Sequence, residues 1–137
     1  MNILVIDAQG GGLGKQLVIA LKKHFPEMDI TAVGTNTMAT SVMLKAGATH
    51  AATGENAVIV GCRKADIIIG PLAIVIADSM FGEITPAMAL AVAQSDAKRI
   101  LIPFNHCDNI VVGIHDYNVT ALIQEDIDEV NKTLPSK

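Results

Sequence analysis

The sequence predicts an α/β protein: a three-layer, Rossmann-like open sheet, mostly parallel, with helices on both faces. Three observations predict it. Short apolar runs alternate with segments of helical period along the whole chain. The runs are continuously apolar rather than alternating, as in strands covered on both faces. A glycine-rich stretch follows the first run directly and opens the first helical segment.

The strands are expected at 3–6, 30–33, 67–69, 100–102 and 110–112, with a weaker one at 50–52. Between the first two, Leu13, Leu17, Val18, Leu21 and Phe25 recur at helical spacing, and Pro26 closes that helix. Met38, Val42, Met43 and Ala46 form the next stripe, with Gly47 placed to end it in a left-handed cap. A third helix is expected near 55–63. Thr85 followed by Pro86 reads as an N-cap and first helical residue, with the helix running to about Ser95. The last helix carries Val119, Leu122, Ile123, Ile127, Val130 and Leu134 on one face. Its other face, Glu125, Asp126, Asp128 and Glu129, is expected to be solvated. Residues 71–80 suit a strand by their β-branched content and a short helix by spacing; helix is the expectation. No linker or repeat divides the 137 residues, so one domain, 1–137, is expected.

Composition narrows the function. Half of the residues are hydrophobic (50%) and 18% are charged, which excludes a disordered chain. The net charge of −4 and the 3% of aromatic residues argue against nucleic-acid binding. Cys62 and Cys107 are too few for a disulfide scaffold and read as free thiols. No basic start precedes the opening apolar run, and the run around Ile67 is broken by Gly70 and Pro71, too short to span a bilayer. A cytoplasmic protein with no membrane partner is therefore expected. The mean hydropathy of +0.43 points to a further buried face, hence a homo-oligomer such as a dimer.

In open α/β sheets ligands bind beyond the carboxyl ends of the strands. There the chain places Asp7-Ala8-Gln9-Gly10-Gly11-Gly12-Leu13-Gly14-Lys15-Gln16. Glycines let an anion approach the backbone, and a helix start adds unpaired N–H groups. Asp7, Gly10, Gly11, Gly12, Gly14 and Lys15 are thus candidate binding residues, against the alternative of a tight structural turn. The stretch departs from G-x-G-x-x-G, because Lys15 stands where the last glycine would be. Its Gly14-Lys15 resembles a P-loop, but Gln16 replaces the Mg²⁺-holding hydroxyl, so no metal is expected. After the second strand, Thr35 and Asn36 offer hydrogen bonds to a ribose or phosphate, or a helix cap, but not the acid typical of NAD sites. Gly70 and Asn105 complete the candidate binding set at the same sheet edge.

Asp78 and Glu83 flank Gly82 ahead of a helix start. They are candidate catalytic carboxylates or simple capping acids. Asp78, Gly82 and Glu83, the alanine-rich helix, then Lys98 and a strand resemble nucleoside deoxyribosyltransferases and related N-glycosidases over 65–103. That resemblance implies Glu83 as nucleophile and Asp78 as a sugar-hydroxyl ligand. His106 and Cys107 point apart as neighbours, and with His115 they read as loop or pocket lining rather than a metal site.

The chain as a whole also resembles a family of small bacterial proteins known only as a domain of unknown function. The resemblance rests on Ala65-Asp66-Ile67-Ile68-Ile69-Gly70-Pro71, Gly82-Glu83-Ile84-Thr85-Pro86, Leu101-Ile102-Pro103 and the segment 105–113. It implies a Rossmann-like fold and no particular activity. The sequence therefore suggests binding of a nucleotide, dinucleotide or other phosphate-bearing small molecule, with no reaction specified. An N-glycosidase-like enzyme and a non-enzymatic oligomeric interaction protein are the alternatives.

Overall fold

The computed structural model describes residues 1–103, 109–114 and 118–135. Five strands, β1 (Asn2–Asp7), β2 (Asp29–Gly34), β3 (His50–Thr53), β4 (Ile67–Pro71) and β5 (Lys98–Ile102), form one sheet in the order β3-β2-β1-β4-β5. Every pairing is parallel. Helices α1 (Gly12–His24), α2 (Thr37–Lys45), α3 (Glu55–Lys64) and α4 (Pro86–Gln94) lie in the crossovers, and together with α5 (Val119–Thr133) they cover both faces.

The central strands explain the continuous apolar runs. Ile3, Val5, Ile67 and Ile69 face α1 and α5, whereas Leu4, Ile6 and Ile68 face α3 and α4, and all seven are buried. Each strand side chain thus has a helix to pack on, which removes any need for polar alternation. The edge strands differ. In β3, His50, Ala52 and Thr53 are exposed; in β5, Lys98 and Arg99 are exposed.

Three expectations need correction. The 110–112 run forms no strand: Ile110 is 87% and Val112 94% exposed, and Gly113 turns the chain at φ +95°. Ile110 and Val112 carry strand propensity but find no packing partner among the described residues, and pairing on a sheet is decided by packing. Of residues 71–80, Pro71 ends β4 and only Leu72–Val75 are helical, as a single short 3-10 helix that does not extend to Met80. Positive φ at Asp78, Met80 and Phe81 takes the chain out of helical geometry. Asp126 is the third: it is buried, 2% exposed, on the packed stripe of α5 rather than on its wet face.

Among the described residues no helix is long and apolar enough to cross a membrane.

Candidate functional site

The strand order reverses between β1 and β4: the chain first builds outward to β2 and β3, then crosses back to β4 and β5. Ligand crevices in open parallel sheets form at such reversals, beyond the carboxyl ends. Asp7 ends β1 at this point, and the glycine loop follows it.

Gly11 takes φ +74° and closes a turn by donating its N–H to the Ala8 carbonyl at 3.1 Å. It is the N-cap of α1 but has no side chain with which to cap. Asp7 does this from outside the helix. Its Oδ2 accepts from the Gly14 N–H at 2.6 Å and its Oδ1 from the Ala8 N–H at 2.8 Å. The N–H groups of Gly12 and Leu13, the first two of α1, find no acceptor among the described residues. A helix start exposes such donors by construction.

The glycines divide by role. A Cβ on Gly11 would lie 2.8 Å from the Ala39 Cα, and one on Gly14 would lie 2.5 Å from the Met43 Sδ and 2.9 Å from the Asp7 Cβ. These two let α1 approach α2 and Asp7. A Cβ on Gly10 or Gly12 would meet nothing within 4 Å. Both look onto open space, beside a cavity of about 200 Å³ whose wall includes Gln9, Gly10, Gly12, Gln16, Met80 and Val119.

Above the loop stands the turn at 78–84. Met80, Phe81 and Gly82 take consecutive left-handed conformations (φ 57°, 58° and 87°), a costly arrangement for the first two. Buried Met80 and Ile84 pin the turn, and the Ser79 hydroxyl donates to the Ala73 carbonyl at 2.8 Å. The turn carries Glu83 across the ends of β1 and β2. One oxygen, Oε1, accepts from the Gln9 N–H at 3.0 Å, the Thr35 hydroxyl at 2.7 Å and the Asn36 Nδ2 at 2.7 Å. Asn36 also caps α2, its Oδ1 accepting from the Ala39 N–H at 2.9 Å, and its Nδ2 donates to the Gln9 carbonyl at 2.9 Å. Capping and site building, posed as alternatives for Asn36, are thus done by the same side chain.

The two acids are driven apart electrostatically. Desolvation opposes ionisation of Glu83, yet the donors from Gln9, Thr35 and Asn36 together hold its carboxyl below the ordinary range. Burial pushes the Asp7 carboxyl up; the Gly14 and Ala8 N–H groups pull it down and the Glu83 charge adds to the rise. Glu83 is therefore a fixed anion, and Asp7 holds its proton more tightly than a free aspartate.

The structure thus gathers Asp7, Gly10, Gly11, Gly12, Gly14, Thr35, Asn36 and Glu83 at one corner. Lys15 is exposed on α1 and does not line the cavity; its neighbour Gln16 does. Asp78 is exposed, and its N–H donates to the Ile84 carbonyl within the turn. Gly70 belongs to strand packing, since a Cβ there would lie 2.6 Å from the Ile6 carbonyl oxygen. Asn105, His106, Cys107 and His115 lie outside the described residues. Met80, Gln16 and Val119 were not legible as wall residues, because their types carry no ligand signature. Cys62 is buried, its thiol pushed up to about 11 by desolvation, which makes it a core residue rather than a nucleophile. It adjoins a roomier cavity, about 510 Å³, between α3 and α4, walled by Leu90 and Ala91 among others and by neither Asp7 nor Glu83. Among the described residues no group of three His, Cys, Asp or Glu could hold a metal ion.

The model of the family described as Domain of unknown function (DUF3842) matches residues 2–135. The chain belongs to this family. The sequence resemblance and the Rossmann-like architecture therefore agree. No curated protein matches the chain. Among solved structures, the chain is similar to a dodecameric FMN-dependent Ubix-like decarboxylase from Escherichia coli O157:H7. The two share 15% identity over 96% of this chain and 95% of that one, with a TM-score of 0.48.

Proposed function

We propose that this chain binds a phosphate-bearing small molecule, a nucleotide or dinucleotide, at the corner formed by the glycine loop and Glu83. The observation that carries the proposal is the pair of acceptor-free amides of Gly12 and Leu13 beside a cavity onto which Gly10 and Gly12 present no side chain. Backbone N–H groups at a helix start suit a phosphate oxygen. Glu83 supplies what the end of β2 lacks. Dinucleotide folds place an acid there to accept from the ribose hydroxyls; here the acid arrives from the 78–84 turn, held by Thr35 and Asn36. An anchored anion with three donors on one oxygen is a better hydroxyl acceptor than nucleophile, so binding is favoured over N-glycosidic chemistry at Glu83.

The test is thermal unfolding with AMP, ADP, NAD, FMN and inorganic phosphate. At least one nucleotide is expected to raise the melting temperature, and Gly12→Val to abolish that rise while melting like the wild type without ligand. No stabilisation by any of them, or an unchanged rise in Gly12→Val, overturns the proposal.

A further inference from the structure

We propose a second site: the groove between α5 and β5 binds a small aliphatic ammonium or guanidinium ion, with Asp126 as its counter-ion. The proposal is independent of the glycine loop. Asp126 is 2% exposed, and neither carboxylate oxygen has a hydrogen-bond partner among the described residues. A buried polar group without a partner costs free energy, and a buried charge costs far more. Asp126 is also part of the wall of a cavity of about 300 Å³, at the small end of the range for ligand pockets.

The rest of that wall selects the ligand. From α5 come Glu125, Asp128, Glu129 and Lys132; from β5 and its end come Ile100, Leu101, Ile102 and Pro103, with no charge among them. Lys132 is paired with Glu129 at 3.0 Å, and Asp128 accepts from the Gln124 Nε2 at 3.1 Å. Carboxylates outnumber ammonium groups, so an anion is repelled and a cation attracted. A metal ion is disfavoured, because no three metal-ligating side chains converge among the described residues. An organic cation fits better. Its methylenes pack on the isoleucine wall of β5, and its N–H groups pair with the Asp126 carboxylate, which turns toward the groove on binding because both of its oxygens are sealed from solvent in this structure.

Occupancy should depend on pH. Burial pushes the Asp126 carboxyl up to about 7, so the empty groove tends to hold a proton there. The cation requires the ionised form. Between pH 8 and pH 6 the ionised fraction falls about tenfold for a group of this kind, and affinity should fall with it.

Titration calorimetry with agmatine and putrescine at pH 8 and pH 6 provides the test. Binding is expected at pH 8, about tenfold weaker at pH 6. Asp126→Asn, which keeps the shape, should lose it; Gly12→Val should keep it. In the wild type, carbon-detected NMR of the Asp126 carboxyl should show its titration midpoint moving down when agmatine is added, which needs no variant. No binding of either probe at pH 8, the same affinity in Asp126→Asn, or an unmoved midpoint overturns the proposal.

Discussion

Asp126 shows how one side chain can depart from its surroundings. It follows Leu122 and precedes Val130 at helical spacing, which puts it on the packed stripe of α5 although three acids around it face water. Its residue type suggested the opposite face, where it was expected, and type is the weaker signal where a helix covers a sheet. Its pH effect has a definite sign. The folded carboxyl is raised from 3.8 to about 7, so its contribution is fully present below pH 4 and is lost as pH rises through 7. Asp126→Asn should therefore gain on the wild type across that window, by up to about 4 kcal/mol at 1.36 kcal/mol per pKa unit, as read by urea unfolding at pH 4 and pH 8. A difference that does not change with pH would show that Asp126 is ionised or solvated throughout. The glycines give a second contrast at this scale. A Cβ on Gly34 would sit 2.5 Å from the backbone nitrogen of Thr40, whereas Gly12 has free space. Gly34→Ala should cost about 1–3 kcal/mol through overpacking, and Gly12→Ala much less. Sequence could see that these residues were glycines, not which of them faced a neighbour.

Elements were legible wherever a cap or a stripe marked them. Thr85 caps α4 with Pro86 behind it, as the sequence indicates, its hydroxyl accepting from the Met88 N–H at 3.1 Å. Asn36 caps α2 in the same way. Asn36→Ala should remove about 1 kcal/mol of stability as a lost cap. It should also remove one of the three donors to Glu83, so nucleotide-dependent stabilisation should weaken beyond what the lost cap explains. Equal melting-temperature rises in the variant and the wild type would detach Asn36 from the site. The 78–84 turn was legible in its residues but not in its path. No local pattern announces left-handed Met80 and Phe81, because buried Met80 and Ile84, not local preference, hold them there. The 110–112 run is the converse: strand-like composition, no strand.

At the scale of the whole molecule, alternation of runs and helices gave the layers and the parallel sense, but not the order β3-β2-β1-β4-β5. That order depends on where each crossover lands, and nothing in a strand of isoleucines names its neighbour. β1 occupies the middle, flanked by β2 and β4, and Ile68 of β4, at 0% exposure, packs beneath α3 and α4. Ile68→Ala should cost about 2–5 kcal/mol, measured by denaturant unfolding, against a negligible effect of the same truncation at Ile110. A large loss at Ile110 would instead mean that its exposed side chain is covered in solution. The Glu83 carboxylate has a consequence at this scale too. It spans the reversal in strand order, tying a turn that descends from β4 to loops that leave β1 and β2. Evicting it, whether by acid or by an incoming solute that takes its three donors, unlatches both sides at once. Amide exchange at Gln9 and at Ile84 should then quicken in step, like two leaves of a door released by a single bolt.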